Sequence, residues 1–320
     1  MNHMPAPIVL FVYNRPEHTR KTLEALKANT LADNSSLYIY ADGLKEGSTK
    51  EQEQSLLETR AIIQEQQWCK NVEIIISDHN KGLAQSIVEG VTNTVNQYGR
   101  VIVLEDDIVT APHFLEFMNE ALTLYEKEER VMHIGGYTPQ AFPKRDAFLP
   151  TEETFLIQFM TCWGWATWKD AWSKLNLDTA YLLEEIKKEN RFKRFNLDGS
   201  ITFHKQLEWN LEGKMKTWAI KWFTTIFLED GLCLQPSRSI VRNIGFDGTG
   251  ENSGELYDNV YAIEEFPTPI SVKFLPIKES KEGRAYFKAF YQYANKKSLK
   301  RFLRKVKNKV KQILGVEIHD

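Results

Sequence analysis

The sequence lacks several features that would place it outside ordinary globular proteins. Its 320 residues include only three cysteines, Cys69, Cys162 and Cys233, which lie far apart and form no CxxC pair. This pattern excludes a disulfide framework and a cysteine-based metal site, so we expect reduced thiols. No run of about 18 uncharged apolar residues occurs, and no basic segment leads into a long apolar stretch near the start. We therefore expect neither a membrane-spanning helix nor a signal peptide, and a cytoplasmic protein.

The chain also lacks a strong charge imbalance and the common nucleotide-binding motifs. Its net charge is −2, so the electrostatics of the whole chain predict no nucleic-acid partner. No GxGxxG motif follows the first apolar segment, and no GxxxxGK followed by Ser or Thr occurs anywhere. Both a dinucleotide-binding fold and a P-loop fold are therefore disfavoured.

Short apolar segments alternate with amphipathic ones through the first half of the chain. The apolar segments are typical of strands, and the segments between them predict helices over residues 17–29, through the 50s and 60s, and over 83–98. Strands separated by helices indicate a parallel, doubly wound α/β sheet. The four predicted strands cover residues 7–13, 37–41, 72–76 and 100–104.

Each of these four strands ends in polar residues, and the carboxyl ends of parallel strands meet at one edge of a sheet. Turn and capping residues explain any one of these ends. They explain the four together less well, because Arg15 and Lys81 have no capping role. The set supplies what a nucleotide diphosphate and its ribose require. The four ends are Asn14-Arg15, Asp42-Gly43, residues 78–81 and residues 105–107.

The fourth end is the most specific, because a buried strand runs directly into the three carboxylates Glu105, Asp106 and Asp107. Adjacent carboxylates near a sheet interior repel one another and lose hydration, so they require a cationic partner. Oxygen ligands are those that Mg²⁺ and Mn²⁺ prefer. The alternative is a charged loop that caps the next helix.

In their order along the chain, these motifs resemble those of GT-A glycosyltransferases. The segments are a strand with NRP, a strand with ADG, then DHNKGLAQSI, and finally VIVLEDDIVTAPHFLEFM. The similarity is to inverting family-two enzymes and to the Golgi N-acetylglucosaminyltransferase I family. It covers residues 7–125 and returns near 163–172 and 236–250. The resemblance implies a Rossmann-like, mostly parallel sheet flanked by helices.

The resemblance also implies roles for residues near the nucleotide. Arg15 would contact the nucleotide near the uracil and phosphates, and Asp42 would accept hydrogen bonds from the base. Asn80 and Lys81 would lie by the ribose and diphosphate at a helix N-terminus.

Two further roles follow for the triplet. Asp106 would lie by the sugar and ribose, and Asp107 would bind Mn²⁺ or Mg²⁺. Such an ion stabilises the charge that develops on the departing phosphate.

Residues 161–172 hold four tryptophans, including Trp163 and Trp165. Aromatic side chains dominate both hydrophobic cores and sugar-facing walls, so both interpretations stand. Gly164 between two tryptophans indicates a close backbone approach, which favours a pocket wall. The resemblance implies that this segment, with Trp165, lies against the donor sugar and acceptor.

The catalytic base is where the sequence departs from the family pattern. The Golgi enzyme has a tryptophan-flanked aspartate pair, and the matching stretch here reads Ala219-Ile220-Lys221. An inverting transfer needs one carboxylate within reach of the acceptor hydroxyl. The candidates are Glu208, ranked first, then Glu212 and Asp247; the alternative for each is a solvated surface acid.

Two segments near the C-terminus complete the prediction. Residues 242–254 contain four glycines, which indicates either a surface loop or a lid that excludes water from the donor. Residues 296–313 carry nine Lys or Arg and no acid, with apolar residues at spacings of three and four. They predict a basic amphipathic helix, which either packs on the body or makes peripheral contact with the inner face of a membrane.

These features predict a nucleotide-sugar-binding α/β half over residues 1–130, an acceptor-binding half over 131–290 and a basic tail over 291–320. The predicted activity is metal-dependent, inverting transfer of a hexosyl or N-acetylhexosaminyl group. The donor would be a nucleotide diphosphate sugar, UDP-linked, and the acceptor a saccharide or lipid-linked saccharide, as in bacterial envelope polysaccharide synthesis. The alternatives are a sugar-nucleotide nucleotidyltransferase and an inactive GT-A-like carbohydrate-binding module.

Overall fold

The structure, a computed structural model, describes residues 4–188, 191–248 and 260–313, with side chains up to residue 297. Its strands are β1 (Ile8–Val12), β2 (Ser36–Ala41), β3 (Asn71–Ile76), β4 (Arg100–Glu105), β5 (Ile108–Thr110), β6 (Val131–Gly135), β7 (Thr154–Ile157), β8 (Trp165–Trp168), β9 (Leu232–Pro236) and β10 (Val241–Asn243). Its α-helices are α1 (Pro16–Lys27), α2 (Lys50–Gln64), α3 (Leu83–Tyr98), α4 (Phe114–Leu124), α5 (Lys169–Trp172), α6 (Thr179–Lys187), α7 (Arg191–Phe195), α8 (His204–Leu211), α9 (Ala219–Leu228) and α10 (Lys281–Ile313).

Eight strands form one central sheet in the order β3-β2-β1-β4-β8-β6-β9-β7. The first four are parallel to one another, as the alternating pattern predicts. β8 is antiparallel to both of its neighbours, and β7 is antiparallel to β9, so the remaining strands all run in the direction of β1. The prediction of a mostly parallel α/β sheet flanked by helices is confirmed.

Strands β1 and β4 lie at the centre of the sheet and are apolar on both faces. Ile8 and Leu10 face one core cluster, which packs against α1, α2 and α4. Val9 and Phe11 face the second cluster, which packs against α3, α6, α9 and α10. Because both faces are covered, polar residues of these strands can reach solvent only at the strand ends. The burial of the sheet thus fixes where a functional site can lie.

A two-stranded ribbon stands beside the main sheet and joins distant parts of the chain. β5 directly follows the carboxylate triplet, and it pairs antiparallel with β10. This pairing returns the segment after β10 to the triplet. All three cysteines are free, and the described residues contain no helix both long and apolar enough to cross a bilayer.

The C-terminal helix begins earlier than the predicted tail. α10 starts at Lys281, and Tyr286, Phe287 and Phe290 are buried against the second core cluster. The helical backbone continues to Ile313, in agreement with a helix over residues 296–313. The side chains of 298–313, which would form its amphipathic basic face, lie outside the described residues, as do residues 314–320.

A buried histidine ties the sheet to α9. The Nε2 of His133 on β6 lies 3.0 Å from the carbonyl oxygen of Thr161, and the Trp222 indole N–H donates to its Nδ1 at 3.3 Å. The neutral imidazole satisfies both contacts when its proton is on Nε2. Burial lowers the pKa of His133 from 6.5 to about 3. The folded protein therefore holds this ring uncharged.

We expect His133 to make the folding stability depend on pH. Between pH 6.5 and about 3, the unfolded chain binds a proton on this imidazole that the folded chain does not. The free energy of unfolding should therefore decrease as the pH is lowered from 6.5 to about 3, by roughly 1.4 kcal/mol per pH unit at most. Above pH 6.5 the imidazole is neutral in both states, so His133 causes no further change. Denaturant unfolding of wild type and His133→Gln at several pH values measures this slope.

The His133→Gln slope should be shallower, even if that variant is less stable at neutral pH. The same substitution at His79, whose side chain is exposed, controls for replacing an imidazole with an amide. Equal slopes for wild type and His133→Gln would contradict the assignment.

Candidate active site

A cleft of about 700 Å³ opens at the carboxyl ends of β1, β2 and β4. Four kinds of segment line it, in agreement with the predicted gathering of polar strand ends. They are the ends of β1, β2 and β4, the loop before α2, the start of α3, and aromatic residues from the second half of the chain. A volume of this size is within the range that small-molecule ligands occupy.

The three carboxylates form the floor of the cleft, and Arg15 lies against them. Arg15 is the residue before Pro16, which starts α1, so its guanidinium is held at the end of β1. Its Nη1 lies 3.0 Å from Asp107 Oδ2 and 3.6 Å from Asp106 Oδ1. These three side chains are between 12% and 15% exposed, so solvent screens the pairs only partly.

One arginine does not balance three carboxylates. Burial, followed by repulsion from its neighbours, raises the pKa of Glu105 well above its ordinary value and that of Asp106 to about 7. Burial also raises the pKa of Asp107, although Arg15 acts in the opposite direction. In addition, Asp107 Oδ1 is buried and has no hydrogen-bond partner among the described residues. The cluster is therefore built to receive further positive charge or hydrogen-bond donors.

The donor set fits a metal ion that shares its ligands with a phosphate. No group of three or more His, Cys, Asp or Glu within the described parts of the chain is arranged to hold an ion alone. Mg²⁺ commonly takes one or two protein carboxylates and completes its shell with water and substrate phosphates. The unpartnered oxygen of Asp107 is the atom that suits this role.

The ribbon of β5 and β10 brings residues 244–247 over the triplet. The Ile244 N–H donates to the Asp107 carbonyl oxygen at 2.9 Å. At Gly245, a Cβ atom would lie 2.1 Å from Asp107 Oδ2, so only glycine fits there. Asp247 follows, with Oδ2 3.1 Å from His18 Nε2 and Oδ1 3.7 Å from Arg15 Nη2. This candidate base thus adjoins the carboxylate cluster.

Asp42 lies in the cleft, but its carboxylate binds the protein itself. Oδ1 accepts from the N–H groups of Gly43 and Lys81, and Oδ2 accepts from the Gly82 N–H and the Asn80 side chain, at 2.8 to 3.1 Å. Two bonds to each oxygen largely use its acceptor capacity. In this structure the Asp42 carboxylate therefore holds the loop before α3 in place, and its contact with the nucleotide base stays a prediction.

Asn80 lines the cleft as expected, whereas the Lys81 side chain does not. The Lys81 ammonium lies 2.6 Å from Glu89 Oε2, one to two turns along α3. In this structure the ion pair keeps the ammonium out of the cleft lining, and a contact of Lys81 with the diphosphate stays a prediction. The backbone of Lys81 remains at the site through its bond to Asp42.

The tryptophan segment divides between core and cleft. Trp165 lies on β8, is fully buried and stacks on Trp218 and His133, so the expectation that it contacts the donor is corrected. Trp163 lies in the segment before β8 and lines the cleft instead, where its ring packs against Phe246. The close approach expected at Gly164 is present, and a Cβ there would lie 2.8 Å from Val241.

Glu208 and Glu212 do not line the cleft. Glu208 on α8 faces Lys187 at 4.0 Å, and Glu212 lies 2.6 Å from Lys214. The first-ranked candidate base is therefore corrected, because the side of α8 that faces the cleft carries its neighbours. The predicted lid over residues 242–254 is described only to residue 248, and the rest of it lies outside the described residues.

Several cleft residues escape the sequence patterns. Lys45 and Gln52 line the cleft from the segment between β2 and the start of α2, and Trp209 and Lys216 line it from α8 and the segment that follows. None belongs to a motif, and all lie on or beside loops that only the fold brings to the cleft. The available sequence signal for Trp209 was a tryptophan directly before a polar segment.

Solved structures with a similar fold are glycosyltransferases, although the similarity is weak. The mannosyltransferase PcManGT from Pyrobaculum calidifontis, in complex with GDP-Man and Mn²⁺, is 9% identical with a TM-score of 0.41, covering 72% of this chain and 70% of that one. Mouse xyloside xylosyltransferase 1 is 13% identical with a TM-score of 0.38, covering 70% and 82%. The galactosyltransferase LgtC with donor and acceptor sugar analogs is 8% identical with a TM-score of 0.34, covering 69% and 70%.

No protein-family model matches the sequence, and no curated protein matches it. The identities and TM-scores of the solved structures are too low to assign a family or to transfer an activity.

We expect Arg15 to be required for stability as well as for the site. Arg15→Gln leaves the largely buried carboxyl groups of Asp106 and Asp107 without their ion-pair partner, and breaking a buried pair typically costs about 3 to 5 kcal/mol. Thermal or denaturant unfolding at neutral pH measures the loss. Arg20→Gln is the matched control on the same helix, because Arg20 makes a surface pair with Glu65 and should change stability little. Similar losses in the two variants would contradict this account.

Proposed function

We propose that this protein is a metal-dependent glycosyltransferase that moves a sugar from a nucleotide diphosphate donor to a saccharide hydroxyl. One observation carries the proposal: the floor of the cleft at the strand ends holds three largely buried carboxyl groups with, among the described residues, one arginine in ion-pair contact and no hydrogen-bond partner for Asp107 Oδ1. A divalent ion held by Asp107 together with a diphosphate would supply the missing charge and ligands. Neither a simple loop nor a surface charge cluster requires such an arrangement.

The donor end of the cleft is proposed to follow from these contacts. The Arg15 guanidinium would also form an ion pair with the diphosphate, and Asp106 would lie by the sugar. Asn80 lines the cleft and would lie by the ribose and diphosphate. Asp42 supports it by holding the loop at the start of α3, and a helix N-terminus favours a bound anion. A bound divalent ion would stabilise the negative charge on the departing phosphate.

The acceptor side is proposed on similar grounds. Asp247 is the candidate base that adjoins the triplet, although it pairs with His18 in this structure. To act as the base of an inverting transfer, Asp247 needs an acceptor hydroxyl within hydrogen-bond reach. The carboxylates within residues 249–259 lie outside the part of the chain that the structure describes. We also propose a UDP-linked donor, a bacterial envelope acceptor and peripheral membrane contact through residues 296–313.

Titration calorimetry of UDP and GDP, with and without Mn²⁺, tests the donor site. We expect binding of one nucleotide that depends on Mn²⁺, and at least a tenfold loss of affinity in Asp107→Ala, because removal of a metal-binding carboxylate costs at least about 1.4 kcal/mol. Asp170→Ala is the matched control, since Asp170 is exposed on α5 and outside the cleft. Nucleotide binding that ignores Mn²⁺, or equal behaviour of the two variants, would overturn the proposed metal role.

Hydrolysis and transfer assays with a panel of sugar nucleotides then test the reaction. Release of nucleoside diphosphate from one donor supports the transferase. Release of pyrophosphate from a nucleoside triphosphate and a sugar phosphate would instead indicate the nucleotidyltransferase. Nucleotide binding without turnover of any donor would indicate an inactive binding module.

A further inference from the structure

An exposed aromatic ring on α8 forms part of the cleft wall. Trp209 lines the cleft, and 41% of its surface is exposed. An indole in a cleft offers a flat, electron-rich face to a ligand. The C–H face of a sugar ring is apolar and weakly positive, which suits that surface.

The backbone around Trp209 is already fixed in the shape that presents this ring. The carbonyl oxygen of Trp209 accepts from the N–H groups of Lys214 and Met215, at 2.9 and 3.2 Å. The Asn210 side chain donates to Thr217 Oγ1 and accepts from the Thr217 N–H, at 3.2 and 3.0 Å. We name residues 209–217 the α8–α9 turn. Because it is ordered by its own hydrogen bonds, a ligand would not have to order it.

The α8–α9 turn also carries a positive charge on its cleft side. Lys216 lines the cleft, and no carboxylate of the described residues lies within ion-pair distance of it. Its neighbour Lys214, outside the cleft, pairs with Glu212 at 2.6 Å. The carboxylates that line the cleft belong to other segments, at Asp42, Glu46 and the triplet. The α8–α9 turn therefore presents a positive charge to the cleft, whereas the triplet presents carboxyl groups to it.

We propose that the α8–α9 turn is the acceptor subsite and that it takes a saccharide bearing a carboxylate or phosphate group. Trp209 stacks on the sugar ring, and Lys216 pairs with the anionic group. This assignment rests on the proposed function, in which the donor occupies the other end of the cleft.

Binding of three p-nitrophenyl glycosides tests the proposal: the β-glucoside, its 6-phosphate and the β-glucuronide. Saturation-transfer NMR and titration on the full chain with UDP and Mn²⁺ present measure their affinities. In wild type we expect both charged glycosides to bind more tightly than the neutral one. Lys216→Gln should reduce this preference by about threefold to fivefold, as for an exposed ion pair. Trp209→Ala should weaken all three by about tenfold, and Trp209→Phe should restore most of the loss.

Two neighbouring variants serve as controls. Leu211→Ala removes an exposed apolar side chain of the same helix, and Lys214→Gln removes a lysine of the same turn; neither residue lines the cleft. Both should bind the glycosides as wild type does. Losses in Trp209→Ala and Lys216→Gln no larger than in these controls would overturn the subsite. Equal affinity of wild type for the neutral and the charged glycosides would overturn the preference of the subsite for an anionic saccharide. Binding of none of the three would overturn it as well.

Failure of the proposed function gives a different result. UDP binding and donor hydrolysis by wild type report on the donor end alone. If these are absent while the charged glycosides bind through Trp209, the subsite stands as a saccharide site and the transferase is wrong. If they are present while the variants bind glycosides normally, the transferase stands and the subsite is wrong.

Discussion

The contact of Arg15 with the buried carboxylates is the interaction on which the rest of the site depends. Asp106 and Asp107 leave a buried strand at a point where water is scarce, and their charges repel. Arg15 can neutralise them only because Pro16 starts α1 directly behind it and holds it at the end of β1. Because one cation among three acids leaves a deficit, the same arrangement that permits folding also creates the demand for a ligand.

The layering of the sheet explains why the site lies where it does. β1 and β4 are buried on both faces, so their polar extensions emerge at one edge only. The strands of the second half run on from β4 and bring Trp163 and α8 to the same edge. One cleft thus combines an acidic floor, formed by neighbouring strand ends, with aromatic and cationic side chains from distant parts of the sequence.

Much of the fold and part of the site could be predicted from sequence. The four parallel strands follow from short apolar runs, and the gathering of Arg15, Asn80 and the triplet follows from strand polarity. Side-chain direction could not be predicted in this way. Asp42 and Lys81 occur at the right strand ends, but local partners take up the carboxylate and the ammonium. Glu208 is next to Trp209, which lines the cleft, and Trp165 lies two residues after Trp163, which also lines it. Which of these side chains faces the cleft is decided by helix phase and by where β8 begins, and the spacing left both open.

The ribbon of β5 and β10 has a consequence for the order of folding. β5 follows the triplet at once, whereas β10 is made only after most of the chain, so their pairing closes a long loop. Contacts between such distant segments form late and slowly. A chain that has folded only its first four strands therefore has Arg15 and the acids but no Gly245 above Asp107. The site reaches its final shape only when β10 has been synthesised and has paired with β5, so a chain truncated before β10 is without it.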